Sequence, residues 1–307
     1  MKIKRLSLAS IIFIFVLAAI LSTTAAVGAE SMKAPKTRTP TPGGATRTRT
    51  PTLAFTATRT NTPPSAFTPT RTLGASPTRT PTPTATLAGG FLDNLDSYNT
   101  SLWQKADGWT NGDPFNNGWR ADHVNFANGM MTLTLDNQTC PSGCSNRPYA
   151  AGEYRRSALS GYGLYEGRFK SAKGSGIVAA TLFLYTGPSD GQPWDEIDVE
   201  ILGKNTTQMQ TNYFTNGVGG HETYINLGFD ASADFHTYGI EYRPTFIKWY
   251  VDGVLVHTET GSRGPLPTHQ MKLMTNIWPG IGVDSWLGPF TYTGPLSAQY
   301  DWLKYTP

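Results

Sequence analysis

Alternating apolar and polar residues, or runs of β-branched and aromatic residues, recur from residue 91 to the end of the chain. The clearest runs are residues 131–135, 163–169, 177–185 and 246–252. Side chains of a strand point to opposite faces of a sheet in turn, so these runs predict strands. Asp252-Gly253 follows one run and precedes another, which predicts a two-residue hairpin because both central positions of a type I′ turn need a positive φ.

The pattern as a whole predicts an all-β fold. Turn residues separate the short strands, and residues 91–307 contain no long amphipathic helical pattern. A sheet with one apolar face must bury that face against a second layer. We therefore expect residues 91–307 to form one domain, built as a two-sheet antiparallel jelly-roll sandwich.

The first 29 residues follow a different pattern. Three basic side chains within the first five residues precede an apolar run over residues 6–21, and small residues end the segment at Ala29. This layout predicts a signal peptide that is cleaved after Ala29, and therefore a secreted, extracellular protein. The apolar run is slightly shorter than the roughly 20 residues of a membrane-spanning helix. The alternative is an uncleaved segment that anchors the protein at the cell surface.

Residues 30–90 are rich in Thr, Pro, Ala and Arg. Large apolar side chains are too sparse there to offset the entropy of ordering the backbone, and the prolines favour an extended form. The segment is therefore predicted to be a disordered linker. Its basic side chains would attract anionic cell-wall polymers weakly, unless the linker is only a solvated spacer.

The charge of the predicted domain differs in sign from that of the whole chain, which is +3. Residues 1–90 hold 11 of the 25 Lys and Arg side chains but one of the 22 Asp and Glu, which leaves 14 basic against 21 acidic side chains in residues 91–307. A nucleic-acid-binding domain would present a basic face, so this class of partner is excluded. A neutral polymer is the better match.

The segment 194–203 alternates acidic with aliphatic residues. On a strand, Glu196, Asp198 and Glu200 would share one face and the aliphatic residues between them the other. Repulsion between three carboxylates is costly unless their pKa values shift or they bind something. Three interpretations compete: a solvated edge strand, a calcium site with oxygen ligands, and a glycosidase pair of nucleophile and proton donor.

Tryptophans favour the glycosidase interpretation. Trp194 adjoins the acids, and further tryptophans lie in Gly- or Asn-containing stretches, namely Trp103, Trp109, Trp119, Trp278 and Trp286. Indole rings match the flat apolar faces of sugars. Residues four apart on a strand are roughly 13 Å apart at Cα, so the spacing of Glu196 and Glu200 leaves open whether their carboxyl groups converge as in a retaining enzyme.

Residues 91–307 resemble the bacterial lichenases of glycoside hydrolase family 16. The matching blocks are residues 103–108, 161–166, 185–188, 194–203, 213–222, 226–232 and 284–288. The resemblance implies a concanavalin-like jelly roll with a concave cleft for a glucan chain and a retaining double-displacement mechanism. It also implies internal hydrolysis of mixed-linkage β-1,3-1,4-glucan such as lichenan or cereal β-glucan, with no cofactor for catalysis. We expect the enzyme to be a monomer.

The same resemblance assigns residues. It makes Glu196 the nucleophile, Glu200 the general acid that later acts as a base, and Asp198 the side chain that tunes the nucleophile. Asp301 matches the side chain that binds a structural calcium ion in the family, with Gly129 as a backbone ligand. The positions that match the substrate-binding cleft are Asn111, Phe115, Arg155, Phe183, Tyr185, Trp194, Asn212, Asn276, Trp278 and Trp286.

The chain departs from the family at its cysteines and at two aromatic positions. Lichenases usually carry a longer-range disulfide, whereas the two cysteines here are Cys140 and Cys144, and a small local disulfide between them is predicted. Phe214 and Trp109 stand where tyrosines are usual, which would remove two hydroxyl contacts to sugar.

Other activities on the same fold are the alternatives. Laminarinases generally carry an extra residue between the second and third acids, and its absence here favours the lichenase or xyloglucan branch. Residues 217–222 resemble the lichenase blocks, so mixed-linkage glucan is preferred. A non-catalytic carbohydrate-binding wall protein is a further alternative, which the intact acidic segment disfavours.

Overall fold

The computed structural model describes residues 89–138 and 144–307. The predicted signal peptide, all but the last two residues of the predicted linker, and Cys140 lie outside the described residues. Within the described part, no helix has both the length and the apolar character needed to span a membrane.

Strands account for most of the regular structure. In chain order they are β1 (Phe91–Asp93), β2 (Trp103–Lys105), β3 (Asn117–Trp119), β4 (Val124–Ala127), β5 (Met130–Asp136), β6 (Tyr149–Ala151), β7 (Glu153–Arg156), β8 (Gly163–Lys170), β9 (Ile177–Thr186), β10 (Asp195–Leu202), β11 (Gln208–Phe214), β12 (Thr223–Asn226), β13 (His236–Arg243), β14 (Phe246–Val251), β15 (Val254–Glu259), β16 (Lys272–Asn276), β17 (Trp278–Pro279) and β18 (Leu296–Thr306). The helical elements are short: two 3₁₀ turns, Ala121–His123 and Pro188–Asp190, and α1 (Asp284–Leu287).

The strands form two sheets, as predicted. The ten-stranded sheet has the order β15-β14-β13-β8-β18-β5-β6-β3, with β1 on β18 and β4 on β5. The eight-stranded sheet has the order β12-β11-β10-β9-β16-β7-β2, with β17 on β9. All described pairs are antiparallel except β3 with β6, which run parallel. The all-β jelly-roll prediction is confirmed, with this one parallel pair as the difference.

The core lies where the alternating pattern places it. In β8 the buried and partly exposed residues alternate along the whole strand, so that Tyr165 and Phe169 are buried. In β10 the aliphatic residues Ile197, Val199 and Ile201 are buried with them in one cluster. The acids of β10 therefore lie on the face of the eight-stranded sheet that points away from the core, called the site face below.

Hydrogen bonds also join the two sheets. Trp249 of β14 is fully buried, and its Nε1–H donates to the backbone oxygen of Asp198 at 2.9 Å. Tyr300 of β18 places its hydroxyl between the backbone nitrogen and oxygen of Thr181 in β9, at 3.1 Å and 2.9 Å. The strands that carry the site face are thus held from behind by the ten-stranded sheet.

The predicted hairpin is also confirmed. Asp252 and Gly253 join β14 to β15 with φ angles of 48° and 77°, so both central residues have the positive φ of a type I′ turn.

Candidate active site

The three acids of β10 lie on the site face between two aligned strands. Glu196 is opposite Tyr185 of β9 and Phe214 of β11, and Asp198 is opposite Phe183 and Asn212. Glu200 is opposite Thr181 and Gln210. Directly paired residues share a face of a sheet, so three predicted site positions in these strands adjoin the acids: Phe183, Tyr185 and Asn212. A fourth, Trp194, immediately precedes β10 and contacts Glu196.

Burial and mutual repulsion control the protonation of these acids. Burial raises the pKa of Glu196 to about 7, and hydrogen bonds from Trp194 and Asp198 act in the opposite direction. Burial, followed by the charges of Glu196 and Glu222, raises the pKa of Glu200 to about 8. Burial and the charges of Glu196 and Glu200 raise the pKa of Asp198 well above its usual range. Hydrogen bonds from Trp194 and Asp198 therefore oppose the rise in the pKa of Glu196, whereas burial and neighbouring charges all raise the pKa of Glu200.

Trp194 fixes the carboxyl group of Glu196. Its Nε1–H donates to Glu196 Oε2 at 2.6 Å, and its ring stacks on Phe214 with a centroid distance of 4.8 Å. The aromatic ring of Phe214 takes part in this packing although a hydroxyl group is absent there. The predicted loss of a hydroxyl contact at this position therefore leaves the packing of Trp194 intact.

A buried polar network continues the site face on the other side of β9. Asn276 accepts a hydrogen bond from Thr181 Oγ1 at 3.0 Å and donates one to Glu153 Oε2 at 3.3 Å. Arg155 lies 4.0 Å from Glu153 Oε1, and its guanidinium lies over the ring of Trp109 at 4.6 Å. Asn276 and Arg155, both predicted site residues, thus belong to a network that includes Thr181, the residue opposite Glu200.

Glu153 is a site-face acid that the sequence did not reveal. It is 3 % exposed, and burial raises its pKa to about 7, with the charge of Glu196 acting in the same direction and Arg155 and Asn276 in the opposite one. No acidic pattern surrounds Glu153 in the sequence. The pairing of Asn276 with Glu153 across β16 and β7 is what places it here.

The remaining predicted cleft residues form an aromatic chain beside the acids. Phe115 lies 4.1 Å from Trp278 and 5.9 Å from Trp119 between ring centroids, and Trp278 lies 5.8 Å from Trp286. Asn111 Oδ1 accepts a hydrogen bond from Trp119 Nε1 at 3.1 Å. The sequence stretches that carry these rings are far apart, and the structure brings them to one place.

The far edge of the site face carries residues that the sequence analysis also missed. Gln210 forms hydrogen bonds with both Glu200 and Trp286. Tyr224 of β12 is opposite Gln210 and is 52 % exposed. Asn212 Nδ2 donates to Glu222 Oε1 at 3.3 Å, and Glu222 also acts on the pKa of Glu200. Only the register of β10, β11 and β12 identifies these residues as neighbours of the acids.

Asp301 and Gly129 do not belong to this site. Asp301 lies at a bulge of β18 in the other sheet, and its Oδ2 accepts from Arg168 NH1 at 2.7 Å. Gly129 lies in the turn between β4 and β5. The described residues contain no group of three or more His, Cys, Asp and Glu side chains that could hold a metal ion. A calcium ion here would depend on one paired carboxylate and on backbone oxygens, and its binding stays a prediction.

Cys144 is buried and is not a free thiol. Its predicted partner, Cys140, lies outside the described residues. The local pairing therefore stays a prediction.

The arrangement places two partly buried carboxyl groups with raised pKa values on one strand, beside aromatic rings. A pair of carboxyl groups, one ionised and one protonated, is the requirement for nucleophilic and general acid chemistry at a glycosidic bond.

Known proteins are similar to this chain in sequence and fold. The sequence model described as "Glycosyl hydrolases family 16" matches residues 111–304. The beta-glucanase of Paenibacillus polymyxa is 55% identical over 217 residues, which are 70% of this chain and 87% of that protein. A lichenase structure derived from a mouse hindgut metagenome superposes with a TM-score of 0.68 and 48% identity, covering 71% of this chain and 99% of the other. The Bacillus licheniformis beta-glucanase structure gives 0.66 and 50%, covering 72% and 100%. This chain belongs to glycosyl hydrolase family 16, the family that its sequence blocks predicted.

Proposed function

We propose that the protein is a secreted endo-glucanase that hydrolyses mixed-linkage β-1,3-1,4-glucans with retention of the anomeric configuration. The observation that carries the proposal is the geometry of two partly buried acids on the site face of one strand: Glu196 accepts a hydrogen bond from Trp194, and Glu200, whose pKa is raised by burial and by the charges of Glu196 and Glu222, lies two positions further along the same face. The substrate class is supported by the identity of 48% to the solved prokaryotic β-1,3-1,4-glucanase (lichenase).

The reaction would proceed in two displacements. The Glu196 carboxylate attacks the anomeric carbon while the glycosidic C–O bond breaks and Glu200 transfers its proton to the departing oxygen. Formation of the glycosyl ester removes the charge of Glu196, so the Glu200 carboxylate then accepts a proton from water, whose oxygen attacks the anomeric carbon and releases Glu196. Asp198 donates a hydrogen bond to Glu196 and tunes its charge.

Azide rescue tests the assignment of the two glutamates. The Glu196→Ala enzyme should regain turnover of an activated aryl glycoside with azide and form the α-glycosyl azide, because azide replaces the missing nucleophile. The Glu200→Ala enzyme should form the β-glycosyl azide, because azide attacks the intact intermediate. Interchanged anomers would reverse the roles.

A substrate panel tests the specificity. The purified protein is incubated with barley β-glucan, lichenan, laminarin, carboxymethylcellulose and xyloglucan, and new reducing ends are counted. The proposal expects release from the first two. Release from laminarin or xyloglucan alone would assign another activity of the family, and binding without new ends would indicate a carbohydrate-binding protein.

Export and calcium binding are separate proposals. We propose that the chain is cleaved after Ala29, because basic, apolar and small residues follow one another in the first 29 positions. N-terminal sequencing of the exported protein checks this. Cell-bound protein with an intact Met1 would indicate an anchor instead. For calcium, the melting temperature is measured with calcium and with a chelator. A rise with calcium that Asp301→Asn abolishes supports the predicted site.

A further inference from the structure

Gln210 connects the acid Glu200 to the indole of Trp286. It lies in β11 directly opposite Glu200 and is 3 % exposed. Its Nε2 donates to Glu200 Oε2 at 3.3 Å, and its Oε1 accepts from Trp286 Nε1 at 2.8 Å. A buried amide therefore contacts the carboxyl group that the proposed mechanism uses as proton donor.

The orientation of this amide is determined by its second partner. An indole Nε1–H can only donate, so the atom that faces Trp286 must be the amide oxygen of Gln210. The amide nitrogen then has to face Glu200. The direction of a glutamine amide is otherwise an assignment made from its hydrogen bonds, and here a donor-only partner makes that assignment unique.

The amide orientation has a consequence for the proton of Glu200. In a protonated carboxyl group the carbonyl oxygen is a stronger acceptor than the hydroxyl oxygen. The hydrogen bond from Nε2–H to Oε2 therefore favours the form of Glu200 whose proton is on Oε1.

We propose that Gln210, oriented by Trp286, is a positioning residue that fixes the acidic proton on Glu200 Oε1, the oxygen that protonates the departing glycosidic oxygen. The inference rests on the proposed role of Glu200 as general acid. Loss of the amide would let the proton distribute between both oxygens. The first displacement would slow for a leaving group that needs the proton, whereas attack by Glu196 on a substrate whose leaving group needs none would not.

Leaving-group dependence tests this role. The substrates are two aryl β-glycosides of one glucan oligosaccharide: the 2,4-dinitrophenyl glycoside, whose leaving group needs no proton, and the 4-methylphenyl glycoside, which does. Gln210→Met keeps the side-chain length and removes the amide. We expect kcat/KM for the 4-methylphenyl glycoside to fall about tenfold, the equivalent of one hydrogen bond, with little change for the dinitrophenyl glycoside. Trp286→Phe should shift the ratio of the two values in the same direction, because the amide is then free to turn over.

Gln208→Met is the matched control. Gln208 lies on the same strand, and its Nε2 donates to Asn226 Oδ1 at 2.8 Å, so the same substitution is made away from the acids. The ratio between the two substrates is taken within one preparation, so a partly folded sample does not change it.

Glu200→Ala is measured in parallel to separate the two proposals. If Glu200→Ala lowers kcat/KM equally for the two aryl glycosides, Glu200 is not the general acid and the proposed mechanism fails. If Glu200→Ala lowers kcat/KM mainly for the 4-methylphenyl glycoside but Gln210→Met lowers it equally for both glycosides, only the positioning role of Gln210 is overturned.

Discussion

Acidic side chains have different partners on the two sheets. In the ten-stranded sheet, Glu166 pairs with Lys304 at 2.9 Å, Asp301 with Arg168 at 2.7 Å and Glu241 with Arg243 at 3.3 Å.

On the site face of the eight-stranded sheet, Glu196, Asp198 and Glu200 form no ion pair with any basic side chain of the described residues. Their neighbours are an indole, an amide and one another. Such a group raises the free energy of the folded state, because burial and like charge both disfavour ionisation. The acids of the ten-stranded sheet are thus ordinary ion-paired side chains, whereas the cost of the unpaired acids on the site face indicates a functional site.

Substitution of one acid from each sheet should give the largest contrast. Glu196→Ala should lower turnover of β-glucan on the order of 10⁴-fold or more, since the nucleophile is lost. Glu166→Ala removes a paired acid of the other sheet and should leave turnover unchanged. Initial rates of reducing-end formation measure both. An equal loss in the two variants would remove the functional distinction between the sheets.

Because the pKa of Glu153 is raised in the folded protein, Glu153 should make the protein less stable as pH rises. Burial raises the pKa of this acid from 4.5 to about 7, so folded Glu153 still holds a proton in a pH range where the unfolded chain has released it. The folded state thus binds more protons between about pH 4.5 and 7, and its contribution to stability falls as pH rises through that window. Glu153→Gln should be more stable than the wild type at pH 8, by about 3 kcal/mol at most, and equally stable near pH 4.

Urea unfolding at both pH values measures this, with Asp230→Asn as the contrasting variant. The ammonium of Lys173, with the hydroxyls of Ser232 and Thr206, holds the pKa of Asp230 well below its usual range. Its contribution to stability is therefore present above about pH 4 and is lost as pH falls. Asp230→Asn should destabilise the protein at pH 8. If both variants changed the free energy of unfolding at pH 8 in the same direction, the contrast between a raised pKa at Glu153 and a lowered pKa at Asp230 would be wrong.

The hydrogen bond between the sheets should have a moderate effect. Trp249→Phe removes the Nε1–H that donates to the Asp198 backbone oxygen and leaves a gap in the core. We expect a loss of about 2 kcal/mol in the free energy of unfolding. Tyr250→Phe on the same strand removes only the bond of its hydroxyl to Glu241 and should cost under about 1 kcal/mol. Urea denaturation compares the two variants. Equal losses in the free energy of unfolding would show that the hydrogen bond between the sheets contributes no more to stability than the hydroxyl bond of Tyr250.

The smallest expected effect concerns how far the site face extends. Burial and the charges of Glu200 and Glu222 raise the pKa of Tyr224, which places its exposed ring near the acids. If this ring stacks on a sugar, Tyr224→Ala should raise KM for polymeric glucan about three- to tenfold, with kcat unchanged. Tyr250→Ala, on the other sheet, should change neither constant. An unchanged KM for Tyr224→Ala would show that the substrate-binding surface does not extend beyond β11 to β12.

Much of the fold could be predicted because its signals are local. Alternation within residues 163–169 sets which side chains of β8 are buried, and Asp252-Gly253 sets the turn between β14 and β15. The shared face of Glu196, Asp198 and Glu200 follows from the two-residue period of a strand and needs no knowledge of the neighbours.

The tertiary structure alone decided which strands flank β10 and in what register. Gln210 reaches Glu200 through the register of β10 with β11, Glu153 reaches Asn276 through pairing of β7 with β16, and Trp249 reaches β10 from the other sheet. Side-chain periodicity is a property of neighbouring residues, whereas pairing depends on the packing of segments that are distant in the chain. The sequence by itself therefore determined the acids and the face they share. Only the folded sandwich determined their partners, their burial and hence the raised pKa values of Glu196 and Glu200.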